Sequence, residues 1–415
     1  MISRMGWEAL AVIVAVAALS QFYRSCLGVI APELTRDLAL TPEALGTANG
    51  AFFLAMALAQ IPVGMLFDRY GPRRVVAALT AVAFGAALWQ AAARSAEELV
   101  LARFVLGLGC AGSFMGAVTL CSWWYPGAKL STMLSRLFAF SQVGIFLAAT
   151  PLAVASAAMG WRGSFAAMAL ATAATGVLFF LLVRDRAPQL ALDMKPESMR
   201  DVLRGLGAVW RTPGLAPVLA IHTFAYASMA TVLGLWAGPY LADVHGLDGP
   251  GRGNVILAMA AAQLAGILIY GPLDRVFNTR KWIVVPGALA TVAILAVLAL
   301  APALPLAAAV VLLVLFCGVT SYAVVIVAHG TSLFPPHLTG RGVTTVNLAQ
   351  VVGLAGLPVL TGAIVGAFPE GAGGAHPEIA YRWAFGSIGA VLALGLAAYL
   401  TAQDARPDAG RDAAG

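Results

Sequence analysis

Charge is what this sequence has least of. Only 11% of its 415 residues are Asp, Glu, Lys or Arg, where a soluble domain carries about a quarter. That scarcity excludes a water-solvated globule of ordinary composition. Cysteine is sparse too. Cys26, Cys110, Cys121 and Cys317 all lie in apolar runs, as small core hydrophobes do, so neither a disulfide framework nor a metal cluster is expected. No nucleophile–base set, metal-ligand spacing or phosphate-cradling loop is present. Enzyme chemistry has no foothold, and no cofactor or metal is expected.

What fills the chain instead is hydrophobe, 60% of residues, with a mean hydropathy of +0.87. Windows of about 20 residues, the length needed to cross a hydrocarbon core of roughly 30 Å, pick out twelve candidate spans. They are 8–31, 45–67, 75–93, 98–121, 133–158 and 164–183, then 214–240, 253–273, 282–301, 304–330, 342–366 and 380–402. The expected fold class is an all-α membrane protein of twelve helices in two six-helix bundles. The bundles are expected over 1–183 and 214–403, with a linker over 184–213 and a tail over 404–415. Within the linker, Asp201 to Trp210 is amphipathic enough for a short interfacial helix. Arg4, an apolar stretch and "ALSQ" imitate a secretory leader, but the run continues to Ile30, and an uncleaved first helix is expected.

The net charge of +6 belongs to the loops and does not point to nucleic acid. Placing the N-terminus inside puts 18 of the 25 Lys and Arg on inner segments, five on outer loops and two within spans. The surplus predicts a multi-pass protein of the cell membrane with both termini cytoplasmic. Three segments recur about half a chain apart. "FDRYGPRR" (67–74) returns as "LDRVFNTRK" (273–281), "WYPGAKLS" is answered by "LFPPHLTG", and "WRGSF" (161–165) by "YRWAF" (381–385). Such echoes predict a duplicated six-helix unit.

The sequence "GMLFDRYGPRR", Gly64 to Arg74, resembles the signature between the second and third helices of the major facilitator superfamily. The helix count, the central linker and the weaker second copy extend the resemblance over the whole chain. It implies secondary transport by alternating access. In that family the aspartate, here Asp68, pairs with an arginine and with the N-terminal dipole of a helix from the other half, which closes the inner gate. Gly64, Asp68, Arg69, Gly71, Arg73 and Arg74 are therefore candidate gating residues, with Asp274, Arg275 and Arg280 in the second copy. Gly64 is expected to allow close helix approach and Gly71 a tight turn. The alternative for Arg73 and Arg74 is that they only enforce topology. "RFVLGLGCAG", Arg103 to Gly112, resembles a second superfamily motif; Arg103 either serves conformational change or snorkels to the nearer interface.

None of the nineteen acidic residues falls in the middle third of a span; Glu8, Glu33, Asp37, Asp68 and Asp274 come nearest. Proton-driven export of cations normally rests on an embedded carboxylate, so its absence speaks against a cationic substrate. What is embedded is Arg24, with Gln21 on the same helix face. A guanidinium with amide support suits a carboxylate, sulfonate or phosphate; bonding to carbonyls of a broken helix is the other reading. Residues 22–74 resemble the first two helices of the organic anion:cation symporters of the same superfamily, where an arginine at the position of Arg24 contacts the substrate carboxylate. Tyr23 stands where that branch often has an acid, and span four lacks its buried glutamate. Gln142, His222, Tyr226, Gln263, Asn347 and Gln350 are further candidate cavity residues, each equally able to be a helix–helix hydrogen bond. His222 and His329 are the histidines within spans. The expectation is a monomeric importer of a small organic anion, with or without a proton. An exporter of an amphipathic compound and a non-transporting receptor or scaffold are the rivals.

Overall fold

The computed structural model describes residues 7–125, 128–185, 212–334, 339–371 and 374–407. Most of the linker with Asp201–Trp210, Arg4, and residues 408–415 of the tail lie outside them. Eleven helical stretches among the described residues are long and apolar enough to cross a membrane. One of these, Thr132–Leu182, runs for 51 residues, about twice what a bilayer takes. At Gly160 its backbone leaves the helical region with φ 74° and ψ 163°, and the chain turns there. With that division the crossings number twelve.

The sequence windows give twelve spans, and the structure adds that five of them are broken. The first crossing breaks at Cys26 between α1 (Trp7–Ser25) and α2 (Leu27–Leu38). The second and third, α3 (Pro42–Tyr70) and α4 (Pro72–Ala92), are continuous. The fourth divides into α5 (Ala96–Cys110) and α6 (Ser113–Trp124). The fifth divides into α7 (Ala128–Ser141), α8 (Val143–Leu147) and the start of α9 (Thr150–Leu182), whose remainder is the sixth. The seventh comprises α10 (Leu215–Thr231), a π turn at Val232–Trp236 and α11 (Ala237–Asp243). Pro239 brings no N–H for the Leu235 carbonyl, which favours a widened backbone there. The eighth and ninth, α12 (Gly249–Val276) and α13 (Lys281–Leu300), are unbroken. The tenth passes from α14 (Leu306–Val319) through a 3₁₀ turn to α15 (Ala323–Ser332). The last two are α16 (Thr339–Gly366) and α17 (Glu378–Tyr399).

The repeated sequence segments make repeated contacts. We call the face carrying 67–74 and 273–281 the linker face and the opposite one the far face. At the far face Arg162 donates to the Ala93 carbonyl at the end of α4, and Arg382 donates to Ala299 and Leu300 at the end of α13. At the linker face the Asp185 carboxylate accepts from the Arg73 backbone N–H at the start of α4. Asp404 accepts from the Arg280 and Lys281 N–H groups at the start of α13, at 3.1 and 2.9 Å, and from the Thr279 hydroxyl at 2.6 Å. The third helix of each half is thus held at both ends by a charge lying at the start or just past the end of the sixth. Free backbone groups at helix ends are satisfied in this way. Large apolar side chains such as Leu170, Leu181, Leu268 and Leu394 stand exposed on the outside, the surface a bilayer would cover.

Candidate functional site

The two halves touch chiefly near the far face. The backbone of α3 at Gly46 and Gly50 packs on α16 at Pro358 and Ala355, as small residues allow. The broken first and seventh crossings meet so closely that a methyl on Gly28 would lie 2.6 Å from the Leu233 carbonyl oxygen. Thr150 of α9 donates to Asn254 of α12 at 2.9 Å. Arg252 of α12, 5% exposed, forms an ion pair with Glu33 of α2 and also donates to the Val29 and Leu247 carbonyls.

Below this seal a cavity of about 10 Å³, roughly the room of one water, lies between the halves, lined among others by Gln21, Arg24, Ser25, Phe53, Tyr226 and Gln263. It is narrow, and anything larger than water enters only if the walls part. Arg24 is partly buried. Its Nε is shielded and unbonded, and its side chain makes no hydrogen bond or ion pair among the described residues. The Gln21 amide donates to Gln142 Oε1 at 3.0 Å, which fixes Gln21 one turn before Arg24. Gln263 Oε1 is buried and unpaired at the same cavity.

Four of the predicted cavity residues therefore line one space, and Gln142 supports it from behind. His222 is buried one turn nearer the linker face than Tyr226; Asn347 and Gln350 sit half-buried on α16. None of these three lines the cavity. Arg103 does not snorkel. Fully buried, it donates to the Tyr23 carbonyl at 2.8 Å and to Asn49 Oδ1 at 3.3 Å, with its guanidinium 4.5 Å from the Phe52 ring centre. The break at Cys26 leaves that carbonyl outside the helical ladder, and Arg103 takes it up. Tyr23 itself is hydrogen-bonded to Thr172 at 2.9 Å.

Among the motif residues, Gly71 has φ 78°, and a side chain there would strike the Asp185 carboxylate. Gly64 does not serve close packing: a methyl there meets nothing within 4 Å. Asp68, Arg69, Arg74 and Arg275 are exposed at the linker face. Arg73 is held within its own half, its Nε donating to the Phe180 carbonyl at 2.8 Å. Asp274 is buried and lies 3.4 Å from Arg280 Nε. Burial raises the Asp185 carboxyl, against the opposing pull of the Arg73 N–H and the two neighbouring arginines. Burial also pushes Asp404 upward, but hydrogen bonds from Thr279, Lys281 and Arg280 outweigh it and leave the carboxyl below its usual range. Sequence reasoning missed the Glu33–Arg252 pair. Two opposite charges at the ends of spans one and eight were its signal, but only the fold says that those ends meet.

The Major Facilitator Superfamily profile matches residues 13–353. A probable sulfoacetate transporter of Cupriavidus necator is 29% identical over 159 residues, which cover 38% of this chain and 37% of that one. A 4-hydroxybenzoate transporter of Pseudomonas putida is 26% identical, covering 35% and 32%. A quinolone resistance transporter of Acinetobacter baumannii is 24% identical, covering 54% and 53%. These matches span about a third to half of the relatives' lengths. The fold is similar to that of a bacterial homologue of the human lysosomal transporter Spinster in an inward-facing, occupied conformation. There the TM-score is 0.76 at 17% identity, covering 94% of this chain and 95% of that one.

Proposed function

Starting from its membership of the Major Facilitator Superfamily, we propose that this chain carries a small organic anion across the cell membrane, with Arg24 holding its carboxylate or sulfonate. The observation that carries this reading is the unpaired Arg24 guanidinium facing a cavity between the halves. A cation so placed costs about 2.5–3.5 kcal/mol on the insertion scale. No acid shares its depth, so an anion from outside is the group that offsets the charge. A guanidinium fork matches a planar carboxylate or a sulfonate, and the sulfoacetate and 4-hydroxybenzoate relatives act on substrates of that chemistry.

The basic surplus at the linker face makes that face cytoplasmic. The seal at the far face then closes the cavity to the outside, and import ends by release toward the linker side. Rocking of the two halves about the cavity gives alternating access. The 67–74 loop and its echo at 273–281 serve as the gate of the linker face when that side closes. The test is uptake of a radiolabelled carboxylate and sulfonate panel into proteoliposomes. We expect saturable uptake that falls about a hundredfold in Arg24→Ala, as loss of a charge-assisted fork predicts. Absence of saturable uptake, or uptake indifferent to Arg24→Ala, overturns the anion reading. Uptake of an uncharged amphipath with the same indifference favours export instead.

A further inference from the structure

His222 is 1% exposed, and among the described residues neither ring nitrogen stands in good hydrogen-bond geometry, the Gln350 amide being the polar group close enough to act on the ring. Buried polar groups are paired in nearly every case, and an exception calls for an explanation. Leucine would fill the same space in α10 without leaving two polar atoms unsatisfied. His222 lies about two turns into α10. Tyr226, four residues on, shares its helix face and lines the cavity that holds Arg24. The imidazole is thus one turn below the proposed anion site, on the side away from the far-face seal.

Its surroundings hold no charge that would fix its protonation. On α10 itself the titratable neighbour is Tyr226. Helix α16 places the Gln350 amide beside the ring, and its one ionisable residue, Arg341, lies at the linker-face end. Helix α15 brings His329, which is bonded through Nδ1 to Tyr399 of α17 at 2.6 Å. The rest of α17 has Tyr381 with Glu378 and Arg382 toward the far face, and the 3₁₀ turn has Tyr322. Across the cavity stands Arg24. The Arg24 charge is felt at Tyr226, one turn from His222 on the same helix face.

We propose that His222 is the proton site of a coupled transporter, taking up one proton when an organic anion occupies Arg24 and giving it up after the anion leaves. This rests on the anion reading above. The step is a proton transfer between water and one neutral imidazole nitrogen, and no other bond changes. With the cavity empty, Arg24 and a neutral imidazole carry one positive charge together. With a singly charged anion and a proton bound, guanidinium, imidazolium and anion again sum to one positive charge. The moving region bears the same charge in both legs of the cycle, and one anion enters with one proton. Two like charges lining or adjoining one low-dielectric space oppose each other. Anion binding relieves that opposition, so each ligand favours the other, as linkage requires.

The experiment uses the purified chain in proteoliposomes with radiolabelled 4-hydroxybenzoate, a singly charged anion, and the doubly charged sulfoacetate in parallel. Exchange of labelled for unlabelled anion at equal pH on both sides reads anion binding and reorientation alone. Net uptake with the outside more acidic reads coupling, with a pH-sensitive dye inside the vesicles. We expect wild-type net uptake to rise about tenfold with the acid gradient, a size ordinary for coupled sites, with acidification of the interior. In His222→Gln, exchange persists within a few-fold while gradient stimulation disappears. A wild type that exchanges but ignores the gradient overturns the proton proposal and leaves the anion reading standing. So does a His222→Gln variant that keeps its gradient stimulation. If His222→Gln and His222→Asn both lose exchange while the protein stays monodisperse, His222 serves the fold and the proposal is overturned. No wild-type exchange with either anion overturns the anion reading itself.

Discussion

Two arginines lie within the spans, and the difference between them is a matter of partners. Arg103 is surrounded: at full burial its terminal nitrogens reach a carbonyl and an amide oxygen and its plane lies against an aromatic ring, with Nε alone left unbonded. Arg24 has none of these. The first is therefore a brace of the broken first crossing, and the second is the group to which the proposed anion is assigned. Arg103→Met removes the brace and strands the Tyr23 carbonyl and Asn49 in an apolar setting. A buried group left unpaired costs about 1–3 kcal/mol, so thermal unfolding of the detergent-solubilised variant should come at a lower Tm than wild type. Anion exchange should weaken as well, because Arg24 directly follows Tyr23 in the chain. An Arg103→Met protein with unchanged Tm and exchange would show that the brace is idle. At this scale the sequence marked both arginines as buried cations. It left open whether each meets carbonyls or a cavity, because the carbonyl that Arg103 takes up is freed only by a break that no local propensity announces.

Among elements, the broken helices and the clamped ones give separate tests. Gly28 lies where the first and seventh crossings touch backbone to backbone. Gly28→Val cannot close that contact without moving Leu233, so the far-face seal should stay open. Labelling of a cysteine placed in the cavity by an impermeant reagent from the far side is expected to rise several-fold over the wild-type background, a shift of a few kcal/mol being ample for that. The four native cysteines are all buried and free, which keeps that background low. The trans-capping aspartates respond to acid with opposite signs. Asp404 has a lowered carboxyl, so its contribution is present above the unfolded-chain value of about 3.9 and is lost as pH falls below it. Asp185 has a raised one, so it takes up its proton at a higher pH in the folded state, and folding gains from this group as the medium is acidified. Asp404→Asn should therefore destabilise by about 1 kcal/mol at neutral pH, the usual worth of a helix cap, and by progressively less as pH falls below the usual carboxylate range. Calorimetric melting across that pH range checks it. The equivalent loop of the first half was legible as a motif, but its acceptor Asp185 was not, since it follows the sixth span and carries no signal of its own.

For the molecule as a whole, contacts between halves concentrated at one end mean that transport requires them to separate. Thr150 and Asn254 face each other across that seam with a single hydrogen bond. A Thr150→Cys/Asn254→Cys double variant, bridged by oxidation or a short bifunctional thiol reagent, should lose transport almost completely and regain it on reduction or, with a cleavable reagent, on cleavage. Uptake that continues through a cross-link verified by mass would rule out opening at the far face. The native cysteines, buried within single halves, do not confuse the result.

The sequence alone determined the crossings, the pairing of the halves and the presence of a cation without an acid. Each of these is written in hydropathy, in repeated loop chemistry or in a count of residue types, all of which are local or additive properties. It also singled out Gln21, Gln142 and Gln263, polar atoms in apolar runs, and the fold places Gln21 and Gln263 at the cavity with Arg24 and Gln142 bonded to Gln21. Tertiary structure decided the rest. It broke five of the crossings, because an i→i−4 hydrogen bond is released wherever another chain segment or a proline makes the alternative favourable. It paired Glu33 with Arg252 and set a cap at the start of each third helix, because charges distant in sequence meet only after the helices are packed. It left Gly64 facing open space and His222 buried beside the Gln350 amide. It also decided that Arg24 faces a cavity and not a carbonyl, because what a buried cation meets depends on where the neighbouring helices stand.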